Sequence, residues 1–478
     1  MERKTKIIAT LGPAVASFEG ICGLIEAGMN VARLNFSHGT HESHAQMVSW
    51  VRDAADRLER PIAILQDIQG PRIRVGSFPG GAIELTDGDV VQLEPGADEM
   101  DGSTIFVENL QHVTLSAGSQ IRMADGLIGL EVTAVDGTRV TARVVEGGTV
   151  TDHKGVAFPG APMNVPAVTW KDEADLAFGQ EQDVDYVAAS FVSSGNDIRD
   201  VRRLIGADTP IIAKIESAIG YENLDDILDE AYGTMVARGD LGVELSFESV
   251  PRAQKDILAR SNARARVTIT ATEMLESMTH ATRPTRAEVT DVFGAVLDGS
   301  DAVMLSAETA IGKYPQRTVA AMDRICREAE ASPQYGKTAD LELDSDDARF
   351  AVATAQACVE AADSLGLRVI VAFTESGSTS RLISKYRPQA DIYAYTPSLR
   401  TYRRMALYAG VRSGQFRRVN STDEMIIYAE KQLLDEGIVE RGDGVVMAAG
   451  IPPNQAASTN LMKLHSVGST IVGVPTGD

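Results

Sequence analysis

Along the first two-thirds of the chain, short and almost uninterrupted apolar runs recur, each ending in a polar residue and followed by helical periodicity. They fall at 6–10 (KIIAT), 30–36 (NVARLNF), 62–67 (IAILQD), 186–191 (YVAASF), 211–216 (IIAKIE), 234–238 (TMVAR), 267–272 (VTITAT) and 302–306 (AVMLS). Continuous rather than alternating hydrophobicity predicts strands buried on both faces, as in a parallel sheet covered by helices. The starts lie roughly 23 to 35 residues apart, the size of one strand-plus-helix unit. One gap is larger, at roughly 124 residues between the third and fourth strands. Eight such units predict an α/β fold of the (β/α)8 TIM barrel type, with reactive groups at the C-terminal strand ends. Those ends carry Thr10, Asn35, Ser37, Asp67, Ser190, Lys214, Glu216, Arg238, Asp240, Thr272, Ser306 and Glu308. A polar residue after a strand is ordinarily a cap or turn, but eight in succession with clustered charges weaken that reading.

The long gap reads differently. From about 75 to 151 it is rich in Val, Thr and Gly, with turn signals at Asp87-Gly88, Asp125-Gly126, Asp136-Gly137 and Gly147-Gly148. That pattern predicts a small all-β domain inserted in a barrel loop, placed to act as a lid. Past Ser332 an acidic, poorly periodic stretch at 341–347 (LELDSDD) suggests a linker. Strand-like runs at 369–373, 392–395, 444–449 and 471–474 then alternate with helical stretches, which predicts a C-terminal α/β domain. We place the barrel at 1–72 and 155–335, the lid at 73–154 and the C-terminal domain at 345–478.

Composition narrows the function. The chain has 478 residues, 44% of them apolar, enough for about three domains with real cores. It carries 45 Lys and Arg against 67 Asp and Glu, a formal charge of −22. Such a surface disfavours nucleic acid as a partner. It does not forbid phosphorylated substrates, which respond to the local field of a cleft. No apolar run approaches the length of a membrane helix, and the N-terminal apolar stretch is too short for a signal peptide. Cys22, Cys326 and Cys358 lie far apart in sequence, which suggests neither a disulfide framework nor a zinc cluster. A reduced, cytoplasmic setting is expected.

The chemistry concentrates at a few strand ends. Residues two apart in a strand share a face, so Lys214 and Glu216 point the same way. Met235–Ala237 leads into Arg238-Gly239-Asp240, a glycine beside a carboxylate. Two carboxylates from adjacent strands suit Mg2+, which keeps waters and accepts substrate oxygens. A lysine between them would stabilise phosphoryl oxygens, although a plain Lys–Glu ion pair fits the same pattern. Arg33, Asn35 and Ser37 also share a face. Arg33 could grip a phosphate with its planar fork, and Asn35, Ser37 and Asp67 offer oxygens to a hard cation. His38, His41 and His44 are three apart, but no further ligand completes a transition-metal set in the sequence around them. In the C-terminal domain, 373–380 (FTESGSTS) joins a strand to a helix at 381–386 and could cradle a phosphate. A simple Ser/Thr cap explains that segment equally well.

Longer motifs then resemble one family. Residues 5–13 (TKIIATLGP), 27–39 (AGMNVARLNFSHG), 213–216 (AKIE), 235–244 (MVARGDLGVE), 274–278 (MLESM), 283–289 (RPTRAEV) and 298–309 (DGSDAVMLSAET) are similar to the signatures of pyruvate kinases, nearly end to end. The resemblance implies a barrel, an inserted small β-barrel lid, a C-terminal α/β regulatory domain and a homotetramer. It implies transfer of the phosphoryl group of phosphoenolpyruvate to ADP, giving pyruvate and ATP in the last step of glycolysis. By the family's motifs Glu216 and Asp240 would hold Mg2+, with Mn2+ as a substitute. Lys214 would stabilise the phosphoryl in flight and the enolate left behind. Arg33 and the backbone of Ala237, Arg238 and Gly239, beside Asp240, would bind phosphoenolpyruvate, with Thr272 near its carboxylate. Thr272 or Ser306, through water, would be the proton route to pyruvate. Arg74, Lys154 and Asn35 would serve ADP or ATP. Asn35, Ser37, Asp67 and Ile68 match a K+ site. Thr374, Ser376, Gly377, Ser378 and Thr379 match the loop for a phosphorylated effector.

Three departures stand out. Many members read DTKGPEIR where 67–74 is DIQGPRIR, so Arg72 replaces an acidic residue linked to K+ dependence. A fixed guanidinium there could supply the charge that K+ gives elsewhere, so K+ is expected to be dispensable. Glu273 stands where Gln is common, and its effect on substrate affinity is open. Glu375 puts negative charge in the effector loop, which argues against fructose 1,6-bisphosphate; a sugar monophosphate, AMP or no activator fits as well. Two rival functions remain open on the residues alone. One is a Mg2+-dependent aldolase or lyase acting on pyruvate or phosphoenolpyruvate, against which the lid and Lys154 argue. The other is a non-catalytic sugar-phosphate sensor, against which Lys214, Glu216 and Asp240 argue.

Overall fold

The computed structural model describes residues 3–336, 341–343, 346–419, 421–451 and 459–469. Eight parallel strands close into a barrel: Lys6–Thr10, Val31–Asn35, Ala63–Asp67, Tyr186–Ala189, Ile211–Ile215, Gly233–Ala237, Val267–Ala271 and Ala302–Leu305. Lys6 opposite Ala302 in the register closes the first strand on the eighth. Each strand is buried along nearly its whole length, as the unbroken apolar runs predicted. The pleat then sorts the side chains. On the fifth strand Ile211, Ala213 and Ile215 pack outward against helices, whereas Ile212 faces the barrel interior. Lys214 and Glu216 share the parity of Ile212, so the same alternation delivers both to the interior at the mouth. Arg33 follows Val31 in this way, and Asp67 follows Leu65.

The gap after the third strand folds as a lid. A curled six-stranded sheet holds its core, and Gly148–Thr151 pairs with Ala82–Leu85 as a separate ribbon. The entry turn is set by Gly70, whose φ is +68° and where a Cβ would lie 2.9 Å from the carbonyl oxygen of Ser190. Only glycine meets both demands.

The C-terminal domain is a five-stranded sheet, with Val369–Phe373, Asp391–Thr396, Val411–Gln415 and Gly444–Ala449 parallel and Leu461–Ser466 antiparallel at one edge. The strands Val411–Gln415 and Leu461–Ser466 were not anticipated, because edge strands are half-exposed and polar. The expected strand at 471–474 lies outside the described residues. The acidic stretch at 341–347 is less of a linker than its composition suggested. The amide of Glu342 donates to the carbonyl oxygen of Ala263 at 2.7 Å, and the helix Asp346–Leu365 begins inside the stretch. Acidic residues suit a helix N-terminus, where the macrodipole is positive. Residues 344 and 345 of that stretch lie outside the described set. The helix expected at 381–386 runs from Ser378 to Lys385, starting earlier because Gly377 adopts the left-handed conformation (φ +88°) and opens the helix at once.

One apolar cluster joins the two larger units. It runs from Ile8, Leu65, Ile212 and Met235 inside the barrel to Cys358, Ile370 and Ile392 in the C-terminal domain. Cys22, Cys326 and Cys358 are free and buried. Among the described residues no helix is long and apolar enough to cross a membrane.

Candidate functional site

The C-terminal mouth of the barrel gathers most of the residues singled out above. Arg33, Asn35, Ser37, Lys214, Glu216 and Asp240 line one cavity of about 550 Å3, which also touches Arg72, Ala237 and Thr272. Beside it a cleft of about 900 Å3 opens between barrel and lid, lined by Arg72, Asp125, Phe158, Glu216, Asp240 and Glu244 among others.

The centre is a chain of charges. Arg33 donates from Nε to Asp67 Oδ2 at 2.7 Å and from Nη1 to Thr10 Oγ1 at 2.9 Å. Asp67 Oδ1 lies 3.2 Å from Lys214 Nζ, which in turn lies 3.0 Å from Glu216 Oε1. Lys214 also donates to Ser190 Oγ at 2.7 Å, and Ser190 passes its own hydrogen to the carbonyl oxygen of Ile68 at 2.7 Å. Glu216 Oε2 accepts from the amide of Phe191 at 2.6 Å. Burial pushes the Glu216 carboxyl up; Lys214 counters that, and the charge of Asp240 adds to it. Burial would lower Lys214, but Asp67 and Glu216 outweigh it and raise the ammonium. Burial would likewise raise Asp67, yet Arg33 and Lys214 bring it below the usual carboxylate range. Lys214 is therefore a fixed positive charge shared between Asp67 and Glu216, and Asp240 adds a further carboxylate beside Glu216.

This charge pattern fits a hard divalent cation. Glu216 and Asp240 face one cavity and repel each other, and Asp240 has 39% of its side chain exposed. Among the described residues no group of three or more His, Cys, Asp or Glu forms a metal cage. Two carboxylates with room for water and substrate oxygens match Mg2+ or Mn2+ better than zinc. His38 lines the mouth cavity, and the other two histidines are occupied elsewhere. His41 Nε2 lies 2.7 Å from Asp175 Oδ1, and His44 Nε2 lies 2.9 Å from the carbonyl oxygen of His38.

Backbone geometry shapes the mouth too. Thr272 and Glu273 both have positive φ, at +66° and +53°, uncommon for any residue but glycine and most so for the β-branched Thr272. The turn aims Thr272 Oγ1 at the amide of Gly239, which donates to it at 2.8 Å. Strained backbone of this kind gathers at functional sites.

Some residues sit elsewhere. Arg238 turns its side chain away, to Asp291 at 2.6 Å and the carbonyl oxygen of Thr272 at 2.7 Å, leaving only its backbone near the site. Ser306 Oγ is buried without a hydrogen-bond partner among the described residues, and its amide donates to Glu308 Oε2 at 2.6 Å. Arg74 binds the carbonyl oxygen of His153 at 2.9 Å at the lid hinge, and Lys154 lies 3.4 Å from Asp125 on the lid. Neither lines the two cavities. Arg72 does, with its Nη2 3.9 Å from Asp240 Oδ1. Thr374, Ser376, Ser378 and Thr379 line a cavity on the C-terminal domain, where Gly377 donates its amide to Thr374 Oγ1 at 2.8 Å. Two contributors carried no assigned role in the sequence reading. Ser190 anchors Lys214, and Thr10 anchors Arg33; their place at strand ends was the available signal.

A lidded barrel with a lysine, an arginine and paired carboxylates at its mouth is a phosphotransferase architecture. A family model described as the pyruvate kinase barrel domain matches residues 2–319, and one described as the pyruvate kinase alpha/beta domain matches residues 352–465. The pyruvate kinase of Bacillus licheniformis is 44% identical over 479 residues, covering 98% of this chain and 81% of its own length. That of Geobacillus stearothermophilus is 42% identical, with 98% and 81% covered. That of Clostridium perfringens is 41% identical, with 97% and 100% covered. The chain belongs to the pyruvate kinase family.

Proposed function

We propose that the protein transfers the phosphoryl group of phosphoenolpyruvate to ADP, giving pyruvate and ATP at the end of glycolysis. The observation that carries this reading is the sequence of contacts Arg33, Asp67, Lys214 and Glu216, with Asp240 beside it, at a barrel mouth under a lid. Phosphoryl transfer needs position and positive charge more than covalent chemistry. Mg2+ held by Glu216 and Asp240 would neutralise phosphoryl and carboxylate oxygens as charge develops. Lys214 presents a positive charge to the migrating phosphoryl and then to the enolate. At about 4 Å and an effective dielectric of 20 that charge is worth roughly 4 kcal/mol before desolvation. Arg33, held by Asp67 and Thr10, orients phosphoenolpyruvate, and the amides following Ala237 receive its carboxylate near Thr272. The hydroxyl of Ser306, unpartnered among the described residues, and the strained Thr272 form the proton route to the enolate carbon. Lid closure would bring Arg74 and Lys154 toward the nucleotide and exclude water.

Arg72 takes the place of a monovalent cation near Asn35, Ser37, Asp67 and Ile68. The loop at Thr374–Thr379 receives a phosphorylated effector, and the active species is a tetramer of identical chains. A coupled assay of phosphoenolpyruvate plus ADP tests the central claim. Turnover is expected with Mg2+ and none without it; pyruvate released with inorganic phosphate in place of ATP would mean hydrolysis and refute transfer to ADP. Full turnover is expected in buffer free of K+ and Na+, and loss of nearly all activity there would refute the role of Arg72.

A further inference from the structure

A cavity of about 1360 Å3 lies where the C-terminal domain meets the barrel, and its lining includes three arginines, Arg264, Arg266 and Arg381. Arg264 and Arg266 come from the segment entering the seventh barrel strand, and Arg381 comes from the helix Ser378–Lys385. Arg264 is engaged, with Asp225 at 3.1 Å and Asp229 at 2.6 Å. The other two are not. Arg266 makes one long bond, from Nη2 to the carbonyl oxygen of Asp229 at 3.2 Å, and its Nε is buried without a partner. Arg381 stacks 4.6 Å over the ring of Tyr232, while its Nε and Nη1 are buried without a hydrogen-bond partner among the described residues. Among those residues neither guanidinium meets a carboxylate within ion-pair distance.

Buried charged donors left unmade are costly. Burial and the neighbouring charge of Arg381 pull Arg266 down to about 10, whereas Arg381, despite its burial, is held up by Tyr232, Tyr408, Tyr186 and Asp301. A guanidinium stacked by its face and free along its edge is the usual posture for gripping an oxyanion. The loop's own carboxylate, Glu375, also lines the cavity and is partly answered by Arg418 at 3.4 Å.

We propose that Arg266 and Arg381 form an oxyanion subsite bridging the barrel and the C-terminal domain, and that its ligand is a phosphate monoester. The subsite shares its cavity with the hydroxyl loop 374–379 but uses different groups, and it deepens the reading of that loop as an effector site. Its placement gives it a consequence. Tyr232, under Arg381, directly precedes the sixth strand, whose far end carries Asp240. Arg266 directly precedes the seventh strand, whose far end carries Thr272. An anion held between the two arginines therefore ties the C-terminal domain to the roots of both strands.

Equilibrium dialysis of radiolabelled inorganic phosphate against the whole chain, without Mg2+, tests this. Arg266→Gln and Arg381→Gln are each expected to remove one bound equivalent, or to weaken it about tenfold or more. A Ser376→Ala/Ser378→Ala variant is expected to weaken a different equivalent. Wild-type binding in both arginine variants overturns the subsite, and leaves the loop reading intact if the serine variant still binds less. Loss of the same single equivalent in arginine and serine variants also overturns it, since the cavity would then hold one site. Unchanged binding in the serine variant alone overturns the loop reading and not the arginine pair. Thermal melting checks each fold; should Arg381→Gln unfold, Arg266→Gln and Arg381→Lys carry the test, with the lysine variant expected to bind more weakly than wild type.

Discussion

Two buried aspartates in this chain are each bracketed by a lysine and an arginine, and they serve opposite ends. At the barrel mouth Asp67 meets Arg33 at 2.7 Å and Lys214 at 3.2 Å. At the seam with the C-terminal domain Asp301 meets Lys385 at 2.5 Å and Arg387 at 2.8 Å. Their lysines respond in opposite directions. Burial lowers both, but at the mouth Asp67 and Glu216 overcome it and Lys214 rises. At the seam burial prevails over Asp301, with Arg387 adding to it, and Lys385 falls to about 8. The mouth keeps Glu216 and a part-exposed Asp240 facing one cavity and so offers them to a cation. The seam has cations to spare and uses them on fixed partners: Lys385 also donates to Asn262 Oδ1 at 2.7 Å, and Arg387 to the carbonyl oxygen of Gly299 at 2.7 Å. One electrostatic motif thus serves a candidate site or a joint according to which strand end it occupies.

Substitutions can break that contrast. The largest effect is expected from Lys214→Met, which should lower turnover about a thousandfold while leaving phosphoenolpyruvate binding measurable by titration. Wild-type turnover would remove Lys214 from its assigned role. Next comes the order of two neutralised aspartates. Asp301→Asn strands two buried cations and should cost about 3 to 5 kcal/mol in urea unfolding. Asp67→Asn leaves Lys214 its contact with Glu216, so it should cost less stability but more activity. If the two variants rank the other way on either scale, the division of labour between mouth and seam is wrong.

The smallest effect is in pH. Lys385 has a folded value near 8 against 10.5 as its ordinary value, so the folded chain binds fewer protons between the two. Its destabilising contribution is full below about 8 and is relieved as pH rises toward 10.5. Wild type should therefore gain urea midpoint relative to Lys385→Met between pH 8 and 10. A difference that stays flat or shrinks would show that the seam carries no excess positive charge.

The barrel was legible because each strand is locally complete: an apolar run, a polar end, then a helix. The mouth was legible for the same reason, since parity along a strand predicts that Lys214 and Glu216 meet. Pairings between strands were not. Nothing near Lys214 in sequence announces Asp67, and the anchoring of Arg33 by Thr10 depends on barrel closure. Arg74 and Lys154 could be read as residue types, yet their distance from the cavities reflects the lid's position, which no local pattern encodes. The seam was invisible, because Asp301, Lys385 and Arg387 look like ordinary turn and helix-end residues until two units pack together.

The apolar cluster running from inside the barrel into the C-terminal sheet has a last implication. A TIM barrel usually closes its lower end with its own side chains and loops. Here the lower end is floored by another domain, through shared apolar packing beside the charged seam of Asp301, Lys385 and Arg387. Any tilt of that floor must be accommodated by the eight strands standing on it, so the candidate site at the top is mounted on the C-terminal domain rather than merely tethered to it.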